Sequence, residues 1–431
     1  MGASRRAGRD RGPVNGASLA LAGLLLVSGG LPEQQEPPAA DASDLVNALL
    51  ASMLGLRDMT GEELQKEVAE IGQIPFRSPV LFDYLDRRQL VGYLREVVDA
   101  EYPPSRAEAD ARTLVAFGLL DPGTDLRRLR TRLLEENVAG FYDDRPGRKR
   151  LYAISEDRRL TPANQMILAH ELRHALQDQY MDTHGLLDDA IGDFDDRRMA
   201  VLSLLEGDAT FLMERYLVSR APDGNALGSA LSGASLPTPP VEGAPPVLRD
   251  QLVLPYTAGL GFVASLWKEG GWQAVRGAWS HPPQSTEQVL HPEKYRGGEA
   301  PRAVLVTYSP RRGRLVNEGV LGEMFARTLL GEERGHAAEG WGGDAFRVWD
   351  LSGKTLLVWQ SVWDDPASAT DFARAMRAHL ESVQRVPSRR GEYDVFARGE
   401  WRWAFRGDAG GSTLVSSDDS GLLGDALEAL R

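Results

Sequence analysis

Apolar residues recur three and four positions apart through most of the chain before Pro301, which predicts a mainly helical region. Residues 44–70 carry two helical patterns, the second opening at Thr60 with Glu63 three residues on, a capping box. Val80, Leu81 and Phe82 read as a short strand. A helix over 86–100 stops before Pro103-Pro104, and further helix is expected between 106 and 136. The apolar runs 138–143 and 150–154 flank Arg145-Pro146-Gly147, a turn sequence, and together predict a hairpin. Its edge strand either pairs with an extended peptide or is covered, as edges commonly are.

The next helix has Thr161 as N-cap and Pro162 at its first position. Ile167, Leu168, Leu172, Ala175 and Leu176 share one face fit for burial, and the helix ends near Tyr180. An Asp-rich connection (Asp188, Asp189, Asp193, Asp195, Asp196) leads to a helix over 197–219, with Ala200, Val201, Leu204, Leu205, Ala209 and Leu212 on its apolar side. Residues 221–246, rich in Gly, Ala, Ser and Pro, read as a flexible loop rather than a domain boundary. Helix resumes over 247–269, ends at Gly270-Gly271, and a short helix follows Trp272. Ser285 with Gln288 forms another capping box.

From Pro301 the texture changes. Strand-like runs at 303–308, 346–350, 355–362 and 401–405 alternate with helices at 317–330, 367–383 and 422–430, which predicts a separate α+β unit. Gly340-Trp341-Gly342-Gly343-Asp344 reads as a tight turn feeding a strand rather than a phosphate loop. The fold class expected is α+β: a mostly helical unit with a small sheet or hairpin before the helix that opens at Pro162, then the C-terminal unit. The expected organisation is a signal peptide over 1–30, a disordered linker over 31–43, a mostly helical domain over 44–299 and an α+β domain over 300–431.

Composition narrows the function. With 431 residues, 42% of them hydrophobic and 26% charged, the chain is globular. Its net charge of −13 argues against nucleic acid as a partner. It has no cysteine, so disulfides, thiolate-bound zinc and a thiol nucleophile are excluded. Arg5, Arg6, Arg9 and Arg11 precede an apolar run from Ala17 to Val27 and the small residues Ser28, Gly29 and Gly30, the order of a cleavable export signal. The run is short for a membrane span and no lipobox cysteine follows it, so a secreted or periplasmic protein without a stable span is expected; the alternative is an uncleaved N-terminal anchor.

The chemistry centres on His170-Glu171-Leu172-Arg173-His174. On a helix the two histidines lie one turn apart on one face, where two neutral imidazoles can bind one zinc ion and Glu171 flanks them. Catalytic zinc takes a third protein ligand. The longer zincin pattern with a third His fails, because Gln177 and Tyr180 stand at its positions, and His184 lies off that spacing. Glu206, on the following helix and next to Gly207, which permits close backbone approach, is the better candidate, with Asp208 in reserve.

These motifs resemble the gluzincin branch of the zincin metallopeptidases. His170-Glu171-x-x-His174 carries the resemblance, and Leu205-Glu206-Gly207-Asp208-Ala209 is similar to that family's glutamate-bearing helix. Tyr256-Thr257-Ala258-Gly259 is similar to a segment that carries an oxyanion-stabilising tyrosine in aminopeptidase-like members. The run from Phe141-Tyr142 to His291-Pro292-Glu293-Lys294-Tyr295 also resembles a group of poorly characterised exported bacterial metallopeptidase-like proteins. The resemblance covers residues 138–295. It implies a zincin-like catalytic domain, one catalytic zinc on His170, His174 and Glu206, Glu171 as general base, Tyr256 at the oxyanion, His291 in that role or in orienting substrate, and a peptide or protein substrate. The alternative is a peptidase fold kept as an inactive binding or structural protein of the cell envelope.

Overall fold

A computed structural model describes residues 58–137, 140–154, 160, 162–188, 195–220, 243–383 and 385–430. The expected signal segment and linker, the first helical pattern of 44–70, Thr161 and most of the 221–246 loop lie outside the described residues. The fold is α+β, as the sequence pattern predicts.

Local signals set the first elements. Thr60 caps α1 (Gly61–Ile71) through a full capping box. Its hydroxyl accepts from Glu63 N at 3.2 Å, and the Glu63 carboxylate accepts from Thr60 N at 2.8 Å. The strand read at 80–82 begins at Phe82, as β1 (Phe82–Leu85). Asp86 caps α2 (Arg87–Glu101), and α3 (Pro104–Phe117) and α4 (Leu126–Asn137) follow. The hairpin is β2 (Gly140–Asp143) and β3 (Arg150–Ile154); β1 joins β3 in parallel, so the strand order is β1-β3-β2. All four residues of β2 are buried, so the covered edge is the outcome.

Three helices form the centre of the molecule: α5 (Pro162–Met181), then, after the short α6 (Thr183–Asp188), α7 (Asp196–Arg220) and α8 (Pro246–Ser280). The sequence predicts one buried face for α5. In the structure Ile167 through Asp178 are all buried, because neighbours supply partners to the polar side as well. Helix α8 breaks direction at Gly270-Gly271, where Gly271 has φ +58°, so Trp272 and Trp279 return toward α5. Helices α7 and α8 touch backbone to backbone. A Cβ on Gly207 would lie 2.1 Å from the Gly259 carbonyl carbon, and one on Gly259 would lie 2.0 Å from the Ser203 carbonyl oxygen. This crossing puts Tyr256 and Glu206 on neighbouring turns of two helices in contact.

Helices α9 (Thr286–Leu290) and α10 (Pro292–Gly297) lead to the C-terminal part. The Ser285 box is half formed. Its hydroxyl accepts from Gln288 N at 3.2 Å, but Gln288 Oε1 takes the Gln284 N–H instead. Residues 303–308 join no ladder. The expected helix over 317–330 is instead β4 (Arg314–Gly319) followed by α11 (Gly322–Leu330), whose first amides, Leu321 N and Gly322 N, are capped by Asp344 at 2.8 and 3.0 Å. Gly322, at φ +80°, sits where a Cβ would overlap Asp196.

A 3-10 turn (Gly335–Ala338) precedes the strands β5 (Trp341–Leu351) and β6 (Lys354–Trp363), helix α12 (Pro366–Val383), β7 (Arg385–Arg390), β8 (Tyr393–Arg398), β9 (Trp401–Asp408), β10 (Gly411–Ser417) and α13 (Ser420–Ala429). The sheet is antiparallel throughout, in the order β4-β5-β6-β10-β9-β8-β7.

One face of this sheet is not covered by the C-terminal part alone. Helix α3 packs on it: Phe117 meets Phe325, Phe346 and Trp359 edge-on, and the Ala116 carbonyl accepts from Trp403 Nε1 at 2.8 Å and Ser416 Oγ at 2.7 Å. Leu114, Leu126, Leu133, Val247 and Leu248 join the same apolar cluster. Overpacking a close helix crossing costs about 1–3 kcal/mol or more. Gly207→Ala and Gly259→Ala should therefore lower the unfolding free energy by that order, read as a lower midpoint of denaturant unfolding. Gly261→Ala, whose added Cβ meets nothing within 4 Å, should hold or raise it.

Candidate metal centre

Helix α5 presents His170 and His174 one turn apart, and α7 brings Glu206 against them. Glu206 Oε2 lies 3.2 Å from His170 Nε2 and 3.4 Å from His174 Nε2, and the two Nε2 atoms are 3.0 Å apart. Atoms about 2.0–2.1 Å from a tetrahedral zinc lie about 3.3 Å from one another, so this triangle has the size of a zinc site. The three donor atoms have no proton donor between them except one that an imidazole must itself supply. Among the described residues one other acidic trio converges, Glu287, Glu299 and Asp364, and Lys294 Nζ already bonds all three.

The group is buried: His170 and Glu171 are 0% exposed, Glu206 1% and His174 7%. Burial holds the His170 imidazole below its ordinary range. Burial also opposes charge on His174, but the Glu206 carboxylate outweighs it and raises the ring to about 9. For Glu206 the cost of burial is likewise outweighed, by His174 and then His170, bringing the carboxyl down to about 2. The Glu206 carboxylate is thus the group that draws positive charge to the triangle, on His174.

Glu171 points beside this centre. Its Oε2 accepts the Tyr142 N–H of β2 at 2.9 Å, while Oε1 is buried without a hydrogen-bond partner; burial pushes the carboxyl up to about 8. The hairpin edge therefore spends an N–H on the candidate base rather than on a peptide. Tyr256, on α8 one turn before the Gly259 crossing, stacks on His170 with ring centroids 6.0 Å apart and planes 21° apart. Its other side packs against Val98, Tyr102, Ala107 and Leu134 of α2–α4.

The remaining candidates lie elsewhere. Asp208, the reserve ligand, is taken up by Arg173, Gln177 and Trp279. The structure does not bring His291 into the group. Its Nε2 is 3.0 Å from Glu323 of α11, which raises the ring above its ordinary value. Gln177, Arg173, Tyr142 and Trp279 are the residues that sequence reasoning missed. Gln177 stands three residues after His174, hence on the same face, and that offset is the one available signal.

A second buried polar group lies against the hairpin. Arg145 bonds both oxygens of Asp143 at 2.9 and 2.6 Å, Tyr93 OH donates to Asp143, and Thr183 Oγ1 donates to Asp144 at 2.9 Å. His184 belongs here, 3.7 Å from Asp144. Glu101, 2% exposed, reaches Arg145 at 3.6 Å with one oxygen and leaves the other unpartnered. Burial, against the pull of Arg145, pushes Glu101 up to about 8.

The family model described as a domain of unknown function (DUF8575) matches residues 310–422, which hold the seven-stranded sheet and none of the His170 group. No curated protein and no solved structure matches the chain.

Equilibrium dialysis should give one zinc per chain, lost in His170→Ala and Glu206→Gln and kept in His184→Ala and His291→Ala. Glu101 binds its proton more tightly folded than unfolded. Its contribution to stability is therefore full below about pH 4.5 and is lost as pH rises through about 8. Unfolding curves of wild type and Glu101→Gln between about pH 5 and 8.5 should diverge in favour of the variant as pH increases.

Proposed function

We propose that this chain is an exported, zinc-dependent metallopeptidase that hydrolyses peptide bonds, with His170, His174 and Glu206 holding the ion. The observation that carries the reading is the convergence of those three donor atoms within 3.4 Å of one another, beside a buried carboxylate with one oxygen unpartnered. Zinc bound there would polarise the scissile carbonyl and bring the pKa of its water toward about 7.

The chain's own residues do the rest. Tyr142 N–H pins Glu171 Oε2, leaving Oε1 to take a proton from the attacking water and to hand it to the leaving amine nitrogen. Tyr256, stacked on His170, would donate a hydrogen bond to the oxygen on which charge develops, an interaction that strengthens only as the transition state is approached. The low exposure of the group keeps bulk solvent from it, and Tyr256 links His170 to α2–α4. Export rests on the basic-then-apolar order of residues 5–30.

The same low exposure favours a second reading, an envelope protein that retains fold and metal for binding without turnover. The two separate on one assay. Zinc-loaded protein should cleave an unfolded protein substrate, and Glu171→Gln should keep its zinc while losing at least about 100-fold in kcat. Tyr256→Phe should lower kcat by about 100–1000-fold with KM little changed. Stoichiometric zinc with no cleavage of any unfolded substrate would select the binding reading.

A further inference from the structure

The polar residues that surround the candidate ligands divide unevenly. Glu171 lies beside the donor triangle and Tyr256 stacks on His170, whereas Gln177, Asp208, Arg173 and Trp279 form one hydrogen-bonded set against His174 Nδ1. Gln177 Nε2 donates to the Leu205 carbonyl at 3.0 Å and to Asp208 Oδ2 at 2.8 Å. Both partners can only accept, so the nitrogen end of this amide is assigned by its surroundings. The oxygen end must then face His174 Nδ1, 2.9 Å away. An amide oxygen also only accepts, so Nδ1 must carry a proton whether the ring is charged or neutral, and on the neutral ring the Nε2 lone pair is left for the triangle with His170 and Glu206.

Asp208 is itself fixed from three sides. Arg173 Nε and Nη2 bond its two oxygens at 2.9 Å each, and Trp279 Nε1 donates at 3.1 Å. The Arg173 guanidinium lies over Trp272 and Trp279, 4.6 and 4.7 Å from their ring centres. Gln177, Asp208 and Arg173 are fully buried, so no solvent competes for these bonds.

We propose that Asp208 and Gln177 are positioning residues: a buried carboxylate–amide–imidazole relay that decides which nitrogen of His174 holds its proton and so presents Nε2 to the metal. Ligating histidines ordinarily give their second N–H directly to a carboxylate or carbonyl. Here the carboxylate acts one group removed. The chemistry of the middle residue follows from that. A carboxylate at position 177 could accept from His174 but would set a negative oxygen in hydrogen-bond contact with the Asp208 carboxylate. An aspartate or asparagine would be one carbon short. Glutamine accepts on one side and donates on the other.

The relay rests on the metal reading only for its consequence, zinc affinity. The test reads the His174 ring nitrogens by ¹⁵N NMR in zinc-free and zinc-loaded protein, alongside zinc affinity by competition with a chelator. Wild type should show a proton on Nδ1 in both forms. Gln177→Leu should lose the protection of that proton in the zinc-free form and bind zinc about 10–100-fold more weakly. In Asp208→Asn the Leu205 carbonyl still accepts from Gln177 Nε2, so Nδ1 should keep its proton, and the loss of the carboxylate charge should weaken zinc binding less than Gln177→Leu does.

Asp208→Asn leaves the Arg173 charge buried with a weaker partner. Should that variant not fold, Gln177→Leu carries the test. Tyr216→Phe is the control: it removes a different buried bond to α5, from Tyr216 OH to Gln165 at 3.0 Å, and should leave both readouts within about twofold of wild type. A bare Nδ1 in wild type, or zinc affinity in Gln177→Leu within twofold of wild type, overturns the relay. Should wild type take up no zinc, the metallopeptidase reading fails, and the state of Nδ1 alone decides the relay.

Discussion

Helix α5 is buried along its middle on every side, and about half of what it buries there is polar. That is the constraint from which the rest of the helical part follows. An unpaired polar group in an apolar interior costs several kcal/mol, and an unpaired charge more. Each polar side chain of α5 therefore dictates a neighbour. Gln165 requires Tyr216 and the Leu160 carbonyl; Arg173 requires Asp208 and two indoles; Asp178 requires Tyr142 OH and Lys149. His170 and Glu171 require Glu206 and the amide of β2. Helix α7, the hairpin and the returning end of α8 stand where they do because those partners must reach α5. The glycine crossing of α7 and α8 then lets two backbones approach closely enough for Glu206 and Tyr256 to flank one imidazole.

How far this could be read from the chain depends on the range of the interaction. Thr60, Asp86, Pro162 and Gly270-Gly271 act on their own neighbours, and the elements they bound fall within a residue or two of expectation. His170, His174 and Glu206 were legible because one helical turn and one adjacent helix bring them together. Gly207 was legible as a close-approach site, although its partner Gly259 was not. What the sequence hid is long-range. Residues 303–308 have the composition of a strand, yet Val306 and Tyr308 pack on the face of the large sheet and Thr307 N bonds the Gln360 side chain, so no ladder forms. Residues 314–319 become β4 because β5 pairs with them, and Gly322, at positive φ against Asp196, delays the helix to α11. Asp208 shows the same limit: the offset of Gln177 from His174 puts the amide on the right face, but its carboxylate partner comes from another helix, α7.

The large sheet illustrates why composition alone blurred its strands. In β6, Leu357 and Trp359 face one cluster while Leu356 and Val358 face another, so the strand reads as a continuous apolar run rather than an alternation. One cluster is closed by α13 and the extended 301–310 segment. The other takes α12, α11 and, from the far end of the sequence, α3. The matched family region of 310–422 excludes α3, whose Phe117 sits among the buried rings of this face and whose Ala116 carbonyl satisfies two buried donors of the sheet. The catalytic and C-terminal parts expected from the texture change at Pro301 thus share a core, and in this chain the sheet face is completed by a helix from the other part.

That shared core bears on the metal centre through α8. Near its start, Val247 and Leu248 lie in the C-terminal cluster; two turns later Tyr256 stacks on His170; beyond it Phe262, Val263 and Trp279 lie in the helical core. The two contacts lie on one helix about two turns apart, with Pro255 between them, so the C-terminal sheet and the imidazole share a support. Helices α2–α4 close the same circuit from the other side. Helix α3 is anchored to the sheet by Ala116 and Phe117, while Ala107, nearer its start, belongs to the cluster packed on Tyr256. The C-terminal sheet is therefore mechanically part of the wall around His170: the side chain above the imidazole is held by two helices, both seated on that sheet.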